Sequence, residues 1–385
     1  MSEFTTSEPA YFRATSASPR AKTVQRLSTA MAGFLCLFLI LRHSDAAIAH
    51  MKQGLSLCAG TVIPSLFPFM VIAELLVCSG GGELLGGLFE KPFKRLFGIS
   101  GAGASAVLMG WICGFPIGTK TAVSLCRRGV ITSDELSDLI CCCNIPSSAF
   151  LINAVGVSLF GNRRFGLLLY LICILSSLIT AVILHRIHPR PASPHPLIRM
   201  STASTGALIQ SVTSAATAML YVCAYILFFS ALSGALGELL CHLPLGQSAM
   251  ALIFGILEMS GGIMQASALS DPIAARQIAA FLCGWSGISV HMQILSLCTG
   301  LQIRIKPYLI CKILQGIFCA LSSCLLLRFF PSAAPVPSLQ SALPVVSTPL
   351  AFYLLCILNL SLILLVFGIV KRAYTQKKAV PQKGD

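Results

Sequence analysis

Met109–Lys120 reads MGWICGFPIGTK. Glycines stand at 110, 114 and 118, and Pro116 lies between the last two. Glycine weakens a helix entropically, and proline removes a backbone N–H and collides with the preceding turn. No single helix therefore runs through the segment, although the sequence on both sides is apolar. Lys120 follows at once, and the next acidic residue is Asp134. Broken backbone facing lipid would leave its N–H and C=O groups without partners. It belongs only where protein packs around it or where it lines a wet cavity. Broken helices at membrane depth are also how many secondary transporters build a substrate site.

The composition places this break in a membrane protein. Hydrophobic residues make up 56% of the 385 residues and charged residues 10%, too few charges to cover a water-soluble surface. The apolar residues cluster in runs of roughly 18–25, the length a bilayer demands. The net charge of +14 does not mark a nucleic-acid binder, because the Lys and Arg sit in short segments between apolar runs and report topology. The 17 cysteines lie mostly inside apolar runs, as at Cys141-Cys142-Cys143, Cys319 and Cys324, where they serve as small hydrophobes. His185, His188 and His195 share one basic loop without paired zinc-type spacing, so no metal and no cofactor is expected. No HExxH, GxSxG or catalytic carboxylate pair appears, which argues against an enzyme. GFPIGTK lacks the GxxxxGK[ST] spacing of a phosphate-binding loop.

The chain reads as all-α and polytopic, with about eight transmembrane helices and two re-entrant hairpins. The spans fall near 29–49, 55–78, 136–160, 165–187, 206–234, 274–300, 307–330 and 348–370. The hairpins are 100–127, broken at Gly114–Gly118, and 246–268, broken at Ser260-Gly261-Gly262. A cytoplasmic basic tail (1–28) precedes the first transmembrane helix (29–50), which lacks a cleavage site and reads as retained. Residues 51–190 and 200–330 form two repeats. A Pro/Ser/Ala-rich linker (331–347), a terminal transmembrane helix (348–370) and a cytoplasmic tail (371–385) follow. With both termini inside, most of the 27 Lys and Arg fall on the inner side. Arg42, Lys52, Arg163, Arg164, Arg276 and Arg328 fall outside, and the bias obeys the positive-inside rule. The repeat shows in the order span, broken hairpin, span, span. Gly110 and Gly255 precede the breaks, Asp134 and Asp271 open the next helix, and Gly161 and Gly300 end it. Three crossings per unit make the second unit inverted, the arrangement of alternating-access transporters.

Lys120 at membrane depth must be paired, hydrated or near the interface. With the free N–H groups of a half-helix N-terminus it would form an anion site. A snorkelling Lys120 is the plain alternative. Glu74 and Glu258 lie within apolar runs and are candidate proton or cation coupling groups, Glu258 beside the second break. Polar clusters follow each hairpin: Asn144, Ser147, Ser148 and Asn153, then Ser286, Gly287, Ser289, His291 and Gln293. The serines and glycines also suit close helix packing, whereas Asn144, Asn153, His291 and Gln293 need polar partners in a low-dielectric interior.

Several short motifs occur in order: Pro64-Ser-Leu-Phe-Pro68-Phe69, Glu74-Leu-Leu, Lys91-Pro-Phe-Lys-Arg-Leu-Phe97-Gly98, Gly114-Phe-Pro-Ile-Gly118-Thr-Lys120, Ala154-Val-Gly-Val-Ser-Leu-Phe-Gly161 and Gly287-Ile-Ser-Val-His291-Met-Gln293. Together they resemble the YlbJ-type sporulation integral membrane proteins with nucleoside-recognition (Gate) domains, over about residues 50–330. The chain departs from that pattern at Asn144-Ile-Pro-Ser-Ser, where Asn-Ser-(Gly/Asn)-Pro is more familiar. The resemblance implies two Gate-like repeats and a transporter of dipicolinate, a pyridine dicarboxylate, across the mother-cell-derived membrane around the forespore. The substrate site is then expected at Gly114, Pro116, Gly118, Thr119, Lys120, Asn144, Asn153, Ser286, Ser289, His291 and Gln293. The expected partners are a small anionic substrate and the lipid bilayer, with homo-oligomerisation left open and nucleic acid excluded. A nucleoside or nucleobase carrier is one alternative, and a non-transporting membrane protein of spore assembly is another.

Overall fold

The computed structural model describes residues 19–79, 81–187 and 206–329, and among these every regular element is helical. The terminal span at 348–370, the linker and both tails beyond residues 19–329 lie outside the described residues. The chain begins with α1 (Pro19–Arg42) and α2 (Ser44–Leu57). The two are bent by 96° at His43. A π-helical turn, Cys58–Val62, leads into α3 (Ile63–Cys78), with Pro68 inside it. Next, α4 (Gly81–Phe97) meets α5 (Gly101–Cys113) at 97°. The Lys91–Arg95 segment, expected as a loop, is therefore the last part of a helix. Phe89, Phe93 and Phe97 stack edge to face along one side of it, and Lys91, Lys94 and Arg95 are exposed on the other. A basic amphipathic helix of this kind suits a membrane interface.

The repeated series follows. Short helices α5 and α6 (Ile117–Arg127) are joined through a break, as are α10 (Gln247–Leu257) and α11 (Met259–Ser267). Then α7 (Ser133–Cys142) is separated by an interruption from the π-helical segment Phe150–Leu159, and α12 (Pro272–Trp285) from α13 (Gly287–Leu297). The long helices α8 (Arg163–Ile187) and α14 (Ile305–Phe329) close the two series, and α9 (Ala207–Leu240) joins them. The sequence signals sit where they were expected. Asp271 caps α12 through the Ile273 N–H at 2.8 Å. Gly161 and Gly300 turn the chain with φ of +59° and +82°, conformations open to glycine.

Two stretches expected as continuous spans are interrupted. Residues 136–160 lose the helix after Cys142, where Pro146 cannot donate to a helical carbonyl. Residues 274–300 break at Ser286, whose φ is +78°. The break expected at Ser260-Gly261-Gly262 falls instead at Glu258, in extended conformation, and those residues open α11.

Glycines let the paired half-helices lie side by side. A Cβ on Gly118 would stand 2.8 Å from Gly110 Cα, and one on Gly262 would stand 2.1 Å from Gly255 Cα. The hairpins are thus sealed at matching glycine pairs. One apolar core joins the series: Ile145, Leu151 and Leu169 pack with Met259, Ile263 and Leu282.

Among the described residues four helical segments, one of them Pro272–Leu297 across the Ser286 interruption, are long and apolar enough to cross a membrane, or up to six if each bent pair is one span. The outer surface agrees. Phe34, Ile209 and Leu220 are each 72% exposed on α1 and α9, which is stable in lipid and not in water.

Candidate functional site

The interrupted helices meet in pairs. At the first break Gly114 takes φ +80°, and its missing Cβ would lie 2.4 Å from the Ser147 nitrogen. The Phe115 N–H donates to the Ile145 carbonyl at 3.0 Å. The Ser148 hydroxyl donates to the Ile112 carbonyl at 3.2 Å. Backbone groups freed by one break are therefore satisfied by the other, and lipid need supply nothing. Gly110 and Gly118 both close on the Cys143 carbonyl, where a Cβ would come within 1.9 and 2.4 Å. The second pair behaves alike. Trp285 Nε1 donates to the Ile256 carbonyl at 3.2 Å. A Cβ on Gly287 (φ +82°) would lie 3.0 Å from the Met259 nitrogen.

Between the two crossings lies a small cavity, open on one side. Three interruptions border it, through Phe115, through Pro146 and Ser147, and through Glu258 and Ser260; the fourth, at Ser286, does not, and α13 beyond it adds Val290 and Gln293. Val222 and Ile226 of α9 and Leu66 of α3 complete the wall. The lining is mostly apolar with a few polar groups, the usual make-up of a small-molecule site.

Glu258 is 5% exposed. Its Oε1 accepts from the Ser260 N–H at 3.0 Å and its Oε2 from the Gly261 N–H at 2.7 Å. The carboxylate thus caps α11 and meets the positive end of that half-helix. Gln293, 3% exposed, shares a 3.5 Å contact with the Ser289 hydroxyl. Its Oε1 has no protein partner among the described residues, nor have Ser286 Oγ and His291 Nε2. His291 Nδ1 lies 2.7 Å from the Tyr308 hydroxyl, and its ring stands edge to face on Trp285 at 4.4 Å. Of these residues Gln293 lines the cavity, whereas Ser286, Ser289 and His291 do not.

The other expected residues divide into two groups. Thr119 donates to Asn144 Oδ1 at 2.7 Å, and Asn144 Nδ2 donates to the Ile140 carbonyl at 2.7 Å, so this pair fixes the first crossing. Lys120 is away from the cavity lining and is ion-paired with Glu74 at 3.1 Å, while Ser214 donates to the same carboxylate at 3.0 Å. Two residues 46 apart in sequence, read as separate candidates, are one unit. Asn153 is exposed on the π-helical segment and does not line the cavity.

Sequence reasoning missed Lys312, although it falls within the span expected at 307–330. The side chain is fully buried in α14. It donates to the Asn144 carbonyl and to Gln315 Oε1, each at 2.9 Å. Gln315 Nε2 in turn donates to the Cys141 carbonyl at 2.7 Å and to Thr180 Oγ1 at 3.0 Å. The available signal was Lys312 and Gln315 one helical turn apart inside an apolar run. Among the described residues no three His, Cys, Asp or Glu gather as metal ligands.

These features define a polytopic α-helical membrane protein with crossed, interrupted helices around a central cavity. The chain is similar to the sporulation integral membrane protein YlbJ of Bacillus subtilis (strain 168), 26% identical over 336 residues, which cover 77% of this chain and 82% of that protein. The YlbJ-type likeness read from the motifs thus extends over most of the chain. No family model matches the chain, and no solved structure matches it.

Proposed function

We propose that the protein is a secondary transporter of spore-forming cells that moves a small organic solute through the cavity between the two crossings. The observation that carries this reading is the convergence of three helix interruptions on one cavity, with α13 beyond the fourth completing it. Non-helical backbone at membrane depth is costly, and its concentration around one cavity is the architecture of alternating-access carriers. The two series α5–α8 and α10–α14 act as inverted Gate-like repeats that rock against each other. A non-transporting assembly protein would have no need of the paired crossings.

The leading substrate is dipicolinate, moved across the membrane around the forespore. The similarity to a sporulation membrane protein supports that setting. A dianion needs counter-charge, which the cavity wall lacks; Lys120, away from that wall and paired with Glu74, supplies it outside the cavity once Glu74 is neutralised or displaced. Glu74 then occupies, as part of the protein, the place a substrate carboxylate takes. A second reading, a nucleoside or nucleobase carrier, is favoured by the cavity wall. Gln293 Oε1 and Glu258 are acceptors, Phe115 and Phe150 offer apolar faces, and no Lys or Arg lines the space. Uptake by purified protein in liposomes tests both. Dipicolinate accumulation that empty liposomes lack supports the first, and uridine or uracil accumulation without dipicolinate replaces it by the second. Uptake of neither removes the transporter reading for these substrates.

A further inference from the structure

Lys312 is 0% exposed, and among the described residues no carboxylate forms an ion pair with it. Its ammonium meets oxygens instead. The Asn144 carbonyl and Gln315 Oε1 accept from it at 2.9 Å. Both belong to a wider oxygen cluster at the end of α7. The Cys141 carbonyl takes Gln315 Nε2 at 2.7 Å, and the Cys142 carbonyl takes the Ser177 hydroxyl. The last carbonyls of a helix lack intrahelical partners and carry the negative end of its dipole. The interruption after α7 thus turns carbonyls inward against α8 and α14: those of Cys141 and Cys142 are taken by Gln315 and Ser177, and that of Asn144 meets the ammonium. Carbonyl ends of half-helices and unwound backbone of this kind hold the coupling cation in many transporters.

We propose that the oxygens just beyond α7, the Asn144 carbonyl and Gln315 Oε1, form a monovalent-cation site whose resident is the tethered ammonium of Lys312. The site takes a cation of ammonium or sodium size whenever the lysine is removed. In the native protein the tether keeps it filled, so no free alkali ion is needed there. The two series differ at this point: Lys312 stands as far beyond Gly300 as Cys173 stands beyond Gly161. The first series thus has a neutral thiol in the register where the second has a charge. The inference concerns the site itself and holds or fails separately from transport. If the protein is a carrier, sodium coupling does not run through this position.

The test uses purified full-length protein and thermal unfolding in detergent. Wild type, Lys312→Ala and Lys312→Met are compared in choline, sodium, potassium, ammonium and methylammonium chlorides at equal ionic strength. Lys312→Ala is expected to melt below wild type in choline. It should regain at least about 3 °C, saturably, with ammonium, methylammonium or sodium, as a ligand that binds only the folded state does. Lys312→Met fills the space with an apolar chain and should respond to none of them, and wild type should be indifferent. A Lys312→Ala protein flat across all five salts overturns the proposal, as does wild type stabilised by sodium as strongly as the variant. If Lys312→Ala is recovered only when sodium or ammonium is present during purification, the site is supported. If it is recovered under no salt condition, Lys312 is a structural group and the proposal fails.

Discussion

The pairing of Lys120 with Glu74 changes what a mutation at either residue means. Lys120→Met alone deletes a cation and strands a half-buried carboxylate, so a loss of transport could come from the stranded group. Removing one partner of a charged hydrogen bond costs about 1.5–3 kcal/mol. The informative protein is therefore the double variant Lys120→Met/Glu74→Gln, which leaves neither charge alone. If Lys120 binds substrate carboxylate, the double variant regains thermal stability, and dipicolinate affinity stays reduced by about 10- to 100-fold. Affinity at the wild-type level in the double variant would reduce the pair to a structural bond. Lys120→Arg keeps the charge in another shape and should retain part of the activity.

Glu258 joins a structural and a functional role in one side chain. Its carboxylate holds two N–H groups of α11 and also faces the cavity. Glu258→Gln keeps the size and one acceptor oxygen. The loss of one capping bond should cost about 1 kcal/mol, read as a small fall in melting temperature with normal membrane insertion. Transport should fall much further, or lose its dependence on pH. Wild-type uptake with an unchanged pH profile would remove Glu258 from the mechanism.

At the level of elements, the hairpins depend on glycine contacts that admit no side chain. Gly110→Ala would place a Cβ 1.9 Å from the Cys143 carbonyl oxygen, and Gly262→Ala would place one 2.1 Å from Gly255 Cα. Both contacts are with backbone, which cannot step aside cheaply. Each change should destabilise by about 1–3 kcal/mol or more. Gly33 in α1 has nothing within 4 Å of the same position, so Gly33→Ala should be neutral or stabilising by about 0.5–1 kcal/mol. Thermal melts of the three variants side by side check this, and equal losses at all three would contradict the packing account.

The same elements show what could be read from the chain. Gly110, Gly114, Gly118 and Pro116 marked the first hairpin, because glycine and proline act locally. Asp271 and Gly300 marked a helix start and a turn for the same reason. The interruption after Cys142 was hidden inside an apolar run, and Pro146 was its one visible mark. The break at Ser286 lay between Gly284 and Gly287, which also suit tight helix packing. Contacts between distant segments were not legible. Nothing near Lys120 points to Glu74, and nothing near Lys312 points to the carbonyls of α7, because both partnerships come from the tertiary arrangement.

For the molecule as a whole, the bilayer is the solvent that makes this surface possible. Exposed apolar side chains on α1 and α9 around a crossed-helix interior that pairs its own backbone groups have the polarity of a protein in lipid. By the charge bias, both termini and the basic end of α4 are expected on the inner side. Thiol labelling of single cysteines on a cysteine-free background should reach residues 91–95 only from the cytoplasm. Labelling from outside, or termini on opposite sides, would contradict that topology.

The central claim is that the cavity between the two crossings holds the transported solute. A single cysteine at Ser147 or Ser260 on the cysteine-free background places a reporter on its wall from each repeat. The rate of modification by a small water-soluble thiol reagent is then measured with and without dipicolinate, and with and without uridine. The account predicts that a solute taken up by the wild-type protein slows modification at both positions in a saturable way, while a cysteine on the lipid-facing side of α9 is unaffected. Modification at unchanged rates with a saturating transported solute would place the binding site elsewhere.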